Sequence, residues 1–332
     1  MYFLLGIALT FAFLLIVNLL VATVSSLVWK YLSPIVGDRS VNARAQIIFS
    51  LRVLPVVASL IFVFVFVVPA YLLHEPAKSG ETVSLKLASI AILSSLGIGI
   101  ALFRVIETWV VTRRLSKNWQ SNATLLMVDE IDVPVYKIEH QFPVIAVIGI
   151  FRPKLFVASQ VLESLETDEF RAAIAHEYGH LQAYDNFKRM LLRVCRDLLV
   201  LPLGKNLDRA WAENAESVAD EFAAKKGKYT AINLASALVK IARIVPLGAQ
   251  PAMPAGAYLL EEQNIDITSR VRRLLRFSDS GRESRQISLF GLSPSSVVWI
   301  LAIAVIAILP LVDQNLLLST HNTIEHFVHL IR

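Results

Sequence analysis

Four long apolar stretches divide this 332-residue chain. Met1 to Trp29 and Val53 to Leu73 carry no charge. Leu87 to Phe103 is also uncharged, and its apolar character runs on to Val111 with Arg104 and Glu107 interposed. Gln286 to Val312 is the fourth, most apolar from Val297 onward. Each is close to the ~20 residues that a helix needs to cross a hydrocarbon core. The predicted spans are about 1–29, 53–73, 87–111 and 291–312. The first lacks a basic leader and is too long for the apolar part of a cleaved signal peptide, so it is read as a retained span. Pro55 and Pro69 fall in the second, where neighbouring helices can satisfy the carbonyls they free. Arg104 and Glu107, three apart, share a helix face and are expected to compensate each other near the membrane surface.

Residues 113–290 are polar enough for a soluble domain with its own core. Thr124 to Val128, Pro143 to Ile148 and Lys154 to Ala158 read as short β-runs rich in branched residues. Helical periodicity follows at about 167–184, 186–200, from Trp211 to near Gly227, and at 231–244. Thr167 is the expected N-cap of the first of these, with Asp168 and Glu169 in the dipole-favoured first turn. Pro246 to Ala257 reads as a loop. The fold class is a mostly α membrane protein, with three spans before and one after an α+β domain that carries a small sheet.

Composition agrees. Hydrophobic residues make up 55% of the chain and charged residues 18%, with a mean hydropathy of +0.58, beyond the soluble range. Basic residues fix the orientation. Lys30, Arg39, Arg44 and Arg52 follow the first stretch, and Arg113, Arg114 and Lys117 follow the third. Arg270, Arg272, Arg273, Arg276, Arg282 and Arg285 precede the fourth. The expected topology has the N-terminus and the tail 313–332 outside and the 113–290 domain in the cytoplasm, in a bacterial inner (plasma) membrane. The basic flanks, which account for much of the net charge of +5, suit anionic membrane lipid. The Arg run at 270–276 has no aromatic interleaving, so nucleic acid is not an expected partner. Cys195, the single cysteine, excludes an internal disulfide and is expected to be buried packing.

The chemistry concentrates at His176-Glu177-Tyr178-Gly179-His180. One helical turn stacks His176 and His180 on a common face, where two neutral imidazoles can share one zinc ion. Glu177, about 100° round the helix, can reach a water on that ion as general base. A helical site needs a third protein ligand and an open position. Glu216 and Asp220, four apart in a later helix, supply a candidate ligand and a carboxylate to accept the second ring N–H of a ligating imidazole. Ala219 between them is small enough for close helix approach. Glu213, one turn earlier, is the competing ligand. Asp185 suits a structural hydrogen bond, and His140 a surface or core position. His321, His326 and His329 are expected on an exposed amphipathic helix outside, although the last two, three apart, could share a metal.

With the block Gly149-Ile-Phe-Arg-Pro153-Lys-Leu-Phe-Val-Ala and Asp185 included, residues 140–245 resemble the integral-membrane gluzincin metallopeptidases. They resemble most the β-lactam sensor/transducer type, and more distantly the heat-shock membrane proteases and the prenyl-protein proteases. The resemblance implies a zincin-type domain holding one zinc per chain on His176, His180 and Glu216, with Glu177 as catalytic base and Asp220 behind a ligand. It also implies a protein or peptide substrate, in regulation or membrane-protein turnover. The sensors carry a large penicillin-binding domain after their last span; the sequence runs only to Arg332, so antibiotic sensing by that route is not expected. Strand 144–148 fits two readings, an edge that pairs with extended substrate or a buried core strand. A non-catalytic sensor or scaffold is the alternative function, and a homo-oligomer is compatible with the sequence. A transporter would need ionisable groups well inside several spans, which only Arg104 and Glu107 approach.

Overall fold

The computed structural model describes residues 2–37, 39–76, 83–128, 131–201, 203–245, 267–279 and 314–330. Three helical segments among them are long and apolar enough to cross a membrane. The first is α1 (Tyr2–Val36). The second joins α2 (Val41–Ile61), a π-helical segment (Phe62–Val67) and α3 (Val68–His74). The third is α4 (Leu85–Ser121). The wide π turn directly precedes Pro69, which has no N–H for a regular ladder, so the helix continues through the proline. The fourth expected span, at 291–312, lies outside the described residues.

All three segments outrun the apolar stretches that announced them. α1 continues past Trp29 to Val36, and α2 begins at Val41. The expected loop of residues 30–52 is therefore mostly helix. Its polar positions serve a protein contact: Ile48 packs with Leu207 and Trp211 of a later helix, and Arg52 is buried there. α4 likewise runs ten residues beyond Val111, to Ser121. Leu115 and Trp119 then cover one face of the sheet, against Ile138, Phe142 and Phe156.

The sheet has four strands in the order β1-β2-β4-β3: β1 (Thr124–Leu126), β2 (Val135–Ile138), β3 (Ile145–Ile148) and β4 (Lys154–Ala158). β2 runs parallel to β4 and the other pairings are antiparallel. β2 escaped the sequence reading because it is four residues long and includes a lysine. Its two ends are buried on opposite faces of the sheet, Val135 in one cluster and Ile138 in another. β3 pairs only with β4 among the described residues, so it is an edge strand.

Helices α5 (Ser159–Ser164), α6 (Thr167–Gln182), α7 (Asp185–Asp197), α8 (Lys205–Ala224), α9 (Thr230–Ile244), α10 (Ile267–Asp279) and α11 (Gln314–Leu330) complete the described chain. The N-cap of α6 is Glu166, one residue before the expected Thr167. The Glu169 carboxylate accepts the Glu166 N–H at 2.8 Å, and this reciprocal box satisfies the first-turn donors better than a lone threonine hydroxyl. Tyr184, at φ 55, makes the sharp corner between α6 and α7.

Two ion pairs, one with a buried arginine and one with an exposed one, tie the domain to the long helices. Arg52 Nε lies 2.6 Å from Asp208 on α8. Arg104 Nη1 lies 2.6 Å from Asp197 on α7; the acid that answers Arg104 is thus in the domain, not the expected Glu107. Cys195 is fully buried, as expected, and burial pushes its thiol up to about 11.

Candidate metal centre

α6 and α8 cross where both carry small residues. Gly179 and Ala219 meet there, and a Cβ on Gly179 would lie 3.2 Å from the Ala219 Cα. This close approach brings the acid of one helix to the imidazoles of the other. His176 Nε2 and His180 Nε2 are 3.2 Å apart. Glu216 Oε2 lies 3.5 Å from the first and Oε1 lies 3.3 Å from the second. With ligand bonds of about 2.0–2.1 Å, the edge of a tetrahedron around a metal is about 3.3 Å. The three side chains fit that shape and are buried. Glu213 is half exposed and pairs with Arg209, and the group whose ligand atoms lie close together is His176, His180 and Glu216.

Each imidazole has a carboxylate behind it. His180 Nδ1 is 2.7 Å from Asp185 Oδ2. His176 Nδ1 is 3.0 Å from Asp220 Oδ1, close enough for attraction but short of the alignment of a hydrogen bond. Such partners orient a ring and raise its basicity. Burial opposes charge on His180, but Glu216 and Asp185 outweigh it and push the imidazole up to about 10. His176 is shifted the same way, burial being outweighed by Asp220 and Glu216. An anionic cage that holds protons on buried imidazoles is equally one that favours a bound cation. Glu216 itself is held well below the usual carboxylate range: burial would raise it, and His180, His176 and Arg270 prevail.

Glu177 is buried beside this group, and its Oε2 has no hydrogen-bond partner among the described residues. Burial raises its pKa, against the pull of His176 and His180. An unpartnered buried carboxylate oxygen next to a donor set fits a position where water is meant to bind.

Sequence reasoning missed two arginines. Arg270 and Arg273 of α10 read as membrane-flanking charge, yet they turn inward. Arg270 Nη2 is 2.7 Å and Arg273 Nη2 2.5 Å from the Asp220 carboxylate, and Arg273 also bonds Ser217. Arg270 Nη1 reaches Glu216 at 3.1 Å. Burial of Asp220 would favour the neutral acid, but Arg270 and His176 hold it ionised. The available signal was the inward stripe of α10, where Arg270 and Arg273 alternate with Val271, Leu274 and Phe277 of the packed face. Arg189 of α7, 3.5 Å from Glu216 Oε1, was also unforeseen.

A cleft of about 140 Å³ opens beside His180, between the turn after β3 and the α6–α7 corner. Val147 and Asn186 are among its walls. The Asn186 side-chain amide donates to the Val147 and Gly149 carbonyls at 3.0 Å each. Gly149 has φ +112, a conformation open to glycine, and this presents its carbonyl on the same side as that of Val147. His140 and Asp185 hold the structural positions expected of them. His140 accepts the Phe142 N–H and stands edge-on to Trp119.

Three long apolar helical segments, and a buried His-His-Glu group between α6 and α8 that could hold a metal ion, fit the class of membrane metalloproteins. The model of peptidase family M48 matches residues 146–207, from β3 into the start of α8. That match takes in both histidines and Glu177, stops before Glu216, and shows a likeness to the M48 peptidases over that segment. No curated protein matches the chain.

Proposed function

We propose that this protein is a membrane-embedded, zinc-dependent endopeptidase that cuts a protein substrate on the cytoplasmic side. The observation that carries the reading is the convergence of His176 Nε2, His180 Nε2 and a Glu216 carboxylate oxygen at tetrahedral spacing. Zinc bound there supplies Lewis acidity and a water of lowered pKa. Glu177, raised by burial, takes a proton from the attacking water and returns it to the leaving amine. Asp185 and Asp220 hold the two imidazoles in orientation, and Arg270 and Arg273 fix Asp220. Arg270 also places a guanidinium beside the donor group, where it offsets negative charge that develops on the substrate.

β3 is the strand for an extended substrate to join. The Ala158 N–H donates to the Val144 carbonyl, so residues of even number face β4 and Ile145 and Val147 face outward. The Asn186 amide holds the Val147 carbonyl. Backbone pairing with substrate is then centred on the Ile145 carbonyl and the Val147 N–H. The β-lactam sensor/transducer type remains the finer assignment, on the Gly149–Ala158 block and Asp185.

Topology is part of the proposal. Leu5, Leu9 and Phe13 of α1 pack with α3 and α11, whereas Trp29 at its other end packs with Ile48 and Trp211. The domain and α11 thus sit at opposite ends of the long helices, in keeping with a further span between them and a basic, cytoplasmic domain end. Detergent-purified protein is expected to contain zinc and to cut a casein-like substrate. A chelator abolishes cleavage and added zinc restores it. Glu177→Gln keeps the metal and loses at least ~100-fold in rate. Cleavage by Glu177→Gln at the wild-type rate would refute the general-base role.

A further inference from the structure

We propose a second metal site at the end of the molecule away from the domain, formed by His321 and Glu325 of α11 with Glu75 after α3, and taking a first-row divalent transition ion. One ligand atom from each of the three residues lies within 4.8 Å of the others. His321 and Glu325 are one helical turn apart, so both project from one face of α11. His321 Nε2 is 3.4 Å from Glu325 Oε1. A second imidazole adjoins the group: the His74 ring, next in sequence to Glu75, has its centroid 5.8 Å from that of His321.

The setting of His321 points to a ligand. Leu317, His321, Ile324 and Val328 form the buried stripe of α11, and the three apolar members pack into the cluster that holds Leu5, Val67 and Tyr71. An imidazole in such a stripe is 7% exposed, and its Nδ1 has no hydrogen-bond partner among the described residues. The other ring nitrogen, Nε2, faces Glu325 and is the one placed to ligate. Glu325 is half exposed, which gives an ion a way in from solvent. Imidazole with carboxylates is the donor set of zinc, copper or nickel. Magnesium and calcium prefer oxygen alone. The ion would tie α11 to the end of the second membrane helix and report metal on the face opposite the peptidase centre.

The test is metal stoichiometry on the full chain in detergent, with Zn²⁺ as the probe, by elemental analysis and calorimetric titration. Wild type is expected to bind two equivalents. His321→Leu, which completes the apolar stripe, binds one and still cuts substrate. Glu325→Gln, at an exposed position that folding does not need, weakens the second equivalent by at least ~10-fold. His176→Ala loses the other equivalent and keeps the one that depends on His321. Two equivalents in both His321→Leu and Glu325→Gln overturn the site, as does a single wild-type equivalent that His321→Leu retains. A single equivalent lost in His321→Leu but kept in His176→Ala upholds this site and overturns the peptidase centre instead.

Discussion

Replacing Gly179 with alanine tests whether helix separation sets the metal centre. A Cβ there would meet Ala219 Cα and Phe222 Cδ1 at 3.2 Å each, and Phe222 Cβ at 3.3 Å. Carbon atoms rest at about 3.5–4.0 Å, so α6 and α8 must part by roughly 0.3 Å or more. Overpacking of this kind costs ~1–3 kcal/mol, and alanine returns ~1 kcal/mol of helix propensity. The net loss of stability is at most ~2 kcal/mol, which the fold survives. The metal centre has less room: its donors must hold position to within about 0.2 Å, and Glu216 lies one turn from the clash. Zinc affinity is expected to fall ~10–100-fold, read by competition with a chromophoric chelator, with cleavage falling in parallel at limiting zinc. Gly99→Ala on α4, where a Cβ would meet nothing within 4 Å, is the matched control and should change neither. Wild-type zinc affinity and wild-type cleavage in Gly179→Ala would refute the argument.

Other perturbations follow from the buried charges. Asp220→Asn leaves Arg273 without its acid and Arg270 with Glu216 alone, and should cost up to ~3–5 kcal/mol in thermal unfolding, together with weaker zinc binding; an unchanged melting curve counts against the network. Arg52→Met strands Asp208 and should cost about as much, whereas the double variant with Asp208→Leu should recover most of the loss. A double variant no better than Arg52→Met would show that the pair is not the cause. Glu169 is buried, yet the bonds from Lys240, Ser236 and the Glu166 N–H outweigh burial and lower its pKa. A lowered folded value means that its stabilisation is complete above the ordinary carboxylate pKa of about 4.3 and is lost as pH falls through the folded value. Glu169→Gln should therefore flatten the acid limb of the stability curve, and parallel wild-type and variant limbs would contradict this.

Local periodicity made much of this protein legible. Uncharged runs marked three of the helices that are long enough for a membrane, and one turn of spacing put His176 and His180 together. The pairing of Glu216 with Asp220 followed from the same 3.6-residue repeat. Helix ends were harder to read. Residues 30–52 looked like a polar loop because their charges answer a partner that is distant in sequence: Arg52 meets Asp208 across 156 residues. Arg270 and Arg273 were read as membrane flanks for the same reason, since an arginine facing lipid headgroups and one facing a buried aspartate look alike in a sequence.

The sequence by itself determined the donor chemistry and the helical faces that carry it, because side-chain type and short-range backbone geometry are properties of neighbouring residues. Only the tertiary structure decided which acid reaches the imidazoles, which charges are counter-ions and which histidine of the tail is buried. Those depend on how close two helices come, and that distance is set by packing between residues far apart in the chain.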